Sequence, residues 1–534
     1  MKSRMCLINY KLLPAMKNPN PSLLRTTRIR SEWKPIPIPH RSLQQPRGED
    51  LDYVNVAHSH LLHSDWPQLD KLSPNFNSFR VNHILLNLQK DYSLSLNFYK
   101  WIQLRNPSLL TLETTSIILH ILTNNRKFVS AESVLKNIIS SCQLPKLFDS
   151  IIYSYRMCDS SPRVFDALFK MYAQMKQFRN ATDTFCRMKE YGFYPTIESC
   201  NLFLSSLLSF NRAGIVVSFY KELKRCRIVV NVFTLNMLIN AYCQLGKLEY
   251  AHQVFDEMHD LGFNPLVSSY NTLISAYVNQ GLLMTGIKLK VQMGKNGISP
   301  NVITYNTLIH GFCNEGKLPD AYKVFNEMKI MNVAPNTVTY NTMISGYCKL
   351  GKTEKGTQIF EEMMRHGIKA DILTYNALLL GLCNVGKTRK AAYLVQELDK
   401  KKLVPNASTF AALIRGQCVQ KNPDRAFQLY KSMIKSGCRP NSDTIKMMMS
   451  SFLKNDDFDG AFCVFKEMLE RPVGPSSVIL SELCREFSQV WKDRLVVSLL
   501  KEVDVGCLAL EHFEKVKSII YHSNANAEII HQDV

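Results

Sequence analysis

Two series of polar residues recur in this chain at an interval of 35 residues. The first is Asn201, Asn236, Asn271, Asn306, Asn341 and Asn376; the second is Asn231, Asn301, Asn336, Asp371, Asn406 and Asn441, mostly just after a proline. A side-chain amide at one site and an amide or carboxylate at the next supply the donors and acceptors that could read the Watson–Crick edge of an unpaired base, one base per interval. The competing account is that Asn and Asp cap helices and turns. Capping explains the second series well. It explains the first poorly, because those asparagines fall inside a helical pattern and several are followed by Thr-Leu-Ile or a close variant.

The elements that must position these residues follow from one stretch, 302–336. Tyr305, Leu308, Ile309, Phe312 and Cys313 fall at i, i+3, i+4, i+7 and i+8, the apolar stripe of an amphipathic helix. Gly316 stops that helix, since glycine takes the left-handed conformation at a C-terminus without penalty. Ala321, Val324, Phe325 and Met328 repeat the spacing in a second helix, with Pro319 and Asp320 suited to its first turn. A lone hairpin of two short helices cannot bury both stripes, so it must stack on copies of itself. The predicted fold is all-α, a right-handed α-solenoid of 35-residue helix-turn-helix repeats.

Nine units follow without insertion: 162–196, 197–231, 232–266, 267–301, 302–336, 337–371, 372–406, 407–441 and 442–476. Three ladders of different residue type test the phasing. Cysteine recurs at 243, 313, 348, 383 and 418, glycine at 246, 281, 316, 351 and 386, and methionine at 258, 293, 328, 363, 433 and 468. In this register each residue of the first polar series is the fifth of its unit and each of the second is the last. Asn306 lies about 100° from Tyr305 on the helical wheel, at the flank of the buried face, and His310 and Asn314 continue that side.

The formal charge of +20 and the pI near 9.2 favour a polyanionic partner, nucleic acid or an anionic membrane surface, over small-molecule chemistry. No apolar run is long enough to span a bilayer. The 15 cysteines include no CxxC, and five lie on the buried stripe of first helices, so they read as buried thiols of a reducing compartment. No metal and no cofactor is expected.

Residues 1–30 hold seven basic residues and no acid, with leucines interspersed, the character of an organellar transit peptide. The Arg-rich, Ser-poor composition tilts the destination to the mitochondrion, with the chloroplast as the alternative. Residues 31–77 are proline-spotted and read as a linker with one short helix near Leu51–Leu61. Residues 78–161 read as two degenerate hairpins forming an N-terminal cap, and 477–534 as a C-terminal helical cap. His512 and Glu514 form an HxE pair, half of a zinc-deaminase signature, but no PCxxC follows.

YNTLI at 270–274 and 305–309, YNTMI at 340–344 and YNALL at 375–379, with GxCNxGK and EM before a terminal PN, resemble the pentatricopeptide repeat family. The uniform 35-residue unit resembles its P class, over 162–476. The resemblance implies a plant-type organellar protein that holds single-stranded RNA and specifies bases by the fifth and last residues of each unit. It implies that Asn341 with Asp371 selects uridine, and that Asn201 with Asn231, Asn271 with Asn301, Asn306 with Asn336 and Asn376 with Asn406 select a pyrimidine. Asp166 with Thr196, Asn236 with Leu266, Ala411 with Asn441 and Lys446 with Ser476 depart from the readable combinations. The second residue of each unit is implied to sandwich bases, which suits Ile303, Val338 and Leu373, whereas Ser268, Ser408 and Asp443 depart. A lysine at the thirteenth place is implied to meet phosphate, and only Lys349 matches.

Two other functions compete with RNA binding. A protein-interaction scaffold of the tetratricopeptide kind would show a 34-residue period and a Trp-Gly-Tyr spacing, both absent here. An RNA-processing enzyme would need clustered metal ligands or acids in a further domain. The expectation is a non-catalytic binder of single-stranded organellar RNA, acting in RNA stabilisation, processing, splicing or translation with processing or splicing proteins as partners.

Overall fold

The computed structural model describes residues 35–39, 44–140, 146–455, 457–469 and 494–499. The expected transit peptide at 1–30 lies outside the described residues, as does the expected C-terminal cap apart from 494–499. Secondary structure among the described residues is helical, without a strand. The chain divides into two compact units, 1–206 and 207–534.

In the first unit, a helix at Glu49–Leu62 stands where one was expected. A second helix at Trp66–Leu72 occupies part of the stretch read as linker. Both are packed rather than free: Val54, Ala57, Leu61 and Leu69 are buried, Tyr53 meets Phe76 edge-on at 5.4 Å, and Arg80 bonds Asp50 at 2.6 Å. Asp65 caps the second helix and Pro67 sits in its first turn, where a proline favours a helix start. Helices at Ser78–Asn87, Tyr92–Arg105, Leu112–Asn124, Phe128–Ser140 and Leu147–Ser154 follow.

The second unit is built from paired helices, nearly all of 13 residues. Val302–Asn314 and Leu318–Ile330 show why. Asn301 accepts from Thr304 N at 3.1 Å while Thr304 Oγ1 accepts from Asn301 N at 3.2 Å, a reciprocal cap that satisfies two otherwise orphaned donors. At the other end Gly316, at φ +73°, lets Lys317 N reach Phe312 O at 2.9 Å and close the last turn.

Tyr305, Leu308, Ile309 and Phe312 of the first helix and Ala321, Val324, Phe325 and Met328 of the second are all buried. Each unit also covers the next: Phe255 meets Tyr270 at 4.9 Å, Phe325 meets Tyr340 at 5.4 Å and Phe360 meets Tyr375 at 5.7 Å, all near-perpendicular. Burying one such side chain stabilises by about 1.5–3 kcal/mol, so stacking supplies what a single hairpin lacks. Met258, Met293, Met328, Met363 and Met433 are fully buried at one repeat position.

First helices of successive units approach closely. A β-carbon on Gly346 would stand 2.6 Å from Cys313 Sγ, and one on Gly416 2.7 Å from Cys383 Sγ. The cysteine ladder is therefore a packing element. Burial pushes Cys243 and Cys348 up to about 12 and Cys313 and Cys383 up to about 11, so these thiols stay protonated.

Candidate functional site

The second polar series takes the N-cap of successive first helices. Asn231, Asn301, Asn336, Asp371, Asn406 and Asn441 each accept the backbone N–H of a threonine three residues on, at 2.9–3.2 Å. That bond fixes Oδ1 as the inward atom of each cap.

The first series is tied to these caps. Asn271 Nδ2 donates to Asn301 Oδ1 at 3.1 Å, Asn306 Nδ2 to Asn336 Oδ1 at 3.4 Å, Asn341 Nδ2 to Asp371 Oδ1 at 3.0 Å and Asn376 Nδ2 to Asn406 Oδ1 at 3.0 Å. Their own Oδ1 atoms accept from Thr304, Thr339, Thr374 and Thr409 Oγ1 at 2.6–2.7 Å. The fifth-place asparagines, expected to lack a structural role, thus bridge to the next unit. The same bonds bring the fifth and last residues of one unit side by side.

The outer pairs depart from this pattern. Asn236 accepts from Ser269 Oγ at 2.5 Å, but its cap is Leu266, which has no side-chain oxygen, so Nδ2 turns to Ser268 Oγ at 3.4 Å. Ala411 supplies no amide to Asn441. In the first unit, Thr196 N donates to Asp166 Oδ1 at 2.8 Å, and burial raises the Asp166 carboxyl despite that bond. Asn201 lies half-buried in the first unit, on the helix Ile197–Ser209. Ser476 lies outside the described residues.

Asp371 is the anionic member. Burial alone would raise its carboxyl, but the bonds from Thr374 N, Asn341 Nδ2 and Thr374 Oγ1 outweigh it and hold the group below its ordinary value. All three fall on Oδ1, which leaves Oδ2 outside the relay.

A groove of about 650 Å³ runs along these first helices in the second unit. Asn341, Asp371, Asn376 and Asn441 line it, with Val338 and Leu373 beside them and Lys349 on the same wall. Val338 and Leu373 are 58% and 60% exposed, and Ile303 at the same repeat position is 60% exposed. Ser408 and Asp443 take the corresponding places further along the groove.

Sequence reasoning missed three contributors. Phe233, second residue of its unit, is 61% exposed, and its place in the register was the available signal. Arg415 adds a cation to the groove that recurs nowhere in the ladder. The third-place hydroxyls are the third, and their recurrence every 35 residues was the available signal. Among the described residues no cluster of His, Cys, Asp or Glu could hold a metal, and no helix is long and apolar enough to cross a membrane.

Profiles of the PPR repeat family match 265–314, 300–349, 335–384, 370–419 and 405–454; the pentatricopeptide repeat domain matches 218–280, and the PPR repeat 163–193 and 444–473. Together they span more than half of the chain. The chain belongs to the pentatricopeptide repeat family.

Two pentatricopeptide repeat-containing proteins of Arabidopsis thaliana, both named mitochondrial, are similar to it. One is 55% identical over 218 residues, 40% of this chain and 41% of the relative. The other is 31% identical over 244 residues, 43% of this chain and 32% of the relative. The matches thus span less than half of either relative. The crystal structure of the pentatricopeptide repeat protein PPR10 from maize aligns with 87% of this chain and 80% of its own at 18% identity, with a TM-score of 0.41. The same protein in complex with an 18-nt RNA element aligns at a TM-score of 0.39, over 85% of this chain and 79% of its own, also at 18% identity.

Proposed function

We propose that this pentatricopeptide repeat chain binds single-stranded RNA in a sequence-specific way, one base per unit, without catalysis, as a P-class member. The observation that carries the reading is the paired fifth and last side chains, repeated every 35 residues, one pair of which, Asn341 with Asp371, lines the groove. The exposed aliphatics Ile303, Val338 and Leu373 and the aromatic Phe233 suit the faces of bases. Lys349 and Arg415 suit phosphate, and the charge of +20 suits a polyanion.

Asp371 offers an acceptor to the groove. Uracil presents an N3–H donor where cytosine presents a bare N3 acceptor, so an acceptor favours uridine. An Asn in that place, its Oδ1 turned inward to the cap, presents Nδ2 as a donor, which can meet the N3 of cytosine or a carbonyl oxygen of either pyrimidine. Along the nine units the target reads N-Y-N-Y-Y-U-Y-N-N, with Y a pyrimidine and N unspecified. The basic, acid-free segment 1–30 and the mitochondrial naming of the relatives support import into the mitochondrion. There the protein stabilises its RNA or recruits processing, splicing or translation factors.

The test is a binding series with each of the four bases at the sixth place, for the wild type and for Asn341→Ser. Exchanging the amide for a hydroxyl while Asp371 stays redirects that place from uridine toward guanosine. A good base contact is worth about 1–3 kcal/mol, so affinity for the uridine site falls about tenfold or more and no other place changes. If both proteins rank the four bases identically, the one-unit, one-base reading is wrong.

A further inference from the structure

The third residue of every unit from 197 to 476 is a hydroxyl: Ser199, Thr234, Ser269 and then threonine at 304, 339, 374, 409 and 444. All eight are buried. Helix capping explains part of this, because Thr304, Thr339, Thr374 and Thr409 Oγ1 each accept the N–H of their own N-cap residue at 3.1–3.2 Å. Capping uses the oxygen and leaves the proton to be placed.

That proton crosses the unit boundary. In five successive interfaces the hydroxyl stands 2.5–2.7 Å from Oδ1 of the fifth-place asparagine 33 residues earlier. Where that amide is present, the hydroxyl's own cap oxygen is the more distant acceptor, at 3.0–3.2 Å in the four interfaces from Thr304 to Thr409. The interface after Ala411 serves as an internal control. There the hydroxyl of Thr444 turns back to Asn441 Oδ1 at 2.6 Å. The hydroxyl therefore serves its cap when it must and serves the neighbouring asparagine when one is there.

This bond, together with the one from Nδ2 to the cap oxygen, sets which way the asparagine amide faces. Were the amide of Asn341 rotated by 180°, its oxygen would confront Asp371 Oδ1, already an acceptor from Thr374 N, at the 3.0 Å now spanned by a hydrogen bond. Its NH2 would meet a hydroxyl oxygen already engaged by Asp371 N. The contact between two oxygens opposes that orientation, while the hydroxyl proton would turn to Asp371 Oδ1, now 3.0 Å away. The amide is held with Oδ1 toward Thr374 and Nδ2 toward Asp371, and its second N–H is the one left for a ligand.

We propose that the third-place hydroxyl is a positioning residue for base selection. Thr374, and its counterparts in the other units, lock the amide of the reading asparagine in the preceding unit before RNA arrives. The inference rests on the base-reading function proposed above. It adds that the specificity of a unit depends on a side chain of the following one.

The test uses the full chain with Thr374→Val, which keeps the shape and removes the hydroxyl, and Thr374→Ser, which keeps the hydroxyl. Binding is measured with all four bases at the fifth, sixth and seventh places, alongside melting temperature. The preference at the sixth place should fall from about tenfold toward none in Thr374→Val, persist in Thr374→Ser, and stay unchanged at the other two places. A double-mutant cycle of Thr374→Val with Asn341→Ala, read by melting without RNA, should be non-additive, as for two groups in one hydrogen-bond network. If Thr374→Val melts lower yet ranks the bases as wild type does, or if the cycle is additive, the hydroxyl is a cap and the proposal fails. A wild type with no preference at the sixth place overturns the base-reading function itself, and this proposal with it.

Discussion

Cys348 fills the space that a side chain on Gly381 would need: a β-carbon there would stand 2.6 Å from Cys348 Cβ, 2.8 Å from its Sγ and 3.1 Å from its Cα. Because two of these atoms cannot rotate away, the helices Thr337–Lys349 and Ile372–Asn384 would have to separate. Gly381→Ala should destabilise by about 1–3 kcal/mol through overpacking, against a gain of about 1 kcal/mol from helix propensity. Gly286→Ala is the control. Its new carbon would meet only side-chain ends, Val278 Cγ2 at 3.3 Å and Leu308 Cδ2 at 3.4 Å, so it should be neutral or stabilising by up to about 1 kcal/mol. Urea melts of both variants decide; a Gly381→Ala chain as stable as wild type would refute the close-packing account.

Asp371→Asn keeps the relay, since Asn301, Asn336 and Asn406 make the same bonds. It replaces the outer acceptor by a donor. The sixth place should therefore admit cytidine as readily as uridine, with affinity for the original site reduced by about tenfold or less. Titration of the two RNAs against both proteins checks this, and an unchanged uridine preference would place the selectivity elsewhere.

The repeat was legible because it is redundant. Each unit restates the stripe that Tyr305, Leu308, Ile309 and Phe312 display, and five of the nine restate the stop at Gly316. The site was half legible. Sequence places Asn341 and Asp371 at related positions, but it shows the type of a residue and not its partner. The bond from Thr374 to Asn341 spans 33 residues and becomes visible only once the units stack. The helix Trp66–Leu72 was missed because seven residues hold too few turns to set a period.

The first unit should weaken in mild acid. His120 is wholly buried, with Nε2 3.0 Å from Ile151 O and Nδ1 2.6 Å from Ser160 Oγ, and burial lowers its pKa to about 4. An unfolded histidine titrates near 6.5. The folded value is the depressed one, so the contribution is complete above about pH 6.5 and is lost as pH falls toward 4, by about 3 kcal/mol in all. Melting temperature followed from pH 7 to 4.5 should fall more steeply for wild type than for His120→Gln. Equal slopes would show that His120 is not the titrating group.

Unstructured RNA should bind more tightly than a duplex of the same sequence, because stacked and paired bases hide the edges that Asn341 and Asp371 would meet. Affinity should also fall with salt, by about 0.7 in log K per log unit of salt for each phosphate neutralised. Competition between a hairpin stem and a single strand across a salt series measures both effects. Equal affinities would leave a general cationic clamp in place of a reader.

The bond that joins Thr374 to Asn341 is made from the same two side-chain types at every interface from 271 to 409. No interface in that span is addressed to a particular neighbour. A chain lengthened or shortened there by a whole unit would still find a hydroxyl waiting for each amide and an amide for each hydroxyl. For this bond the joints are interchangeable parts, so a unit added or removed in that span would have only its apolar contacts to refit, such as Val278 against Gly311 where Cys313 stands against Gly346.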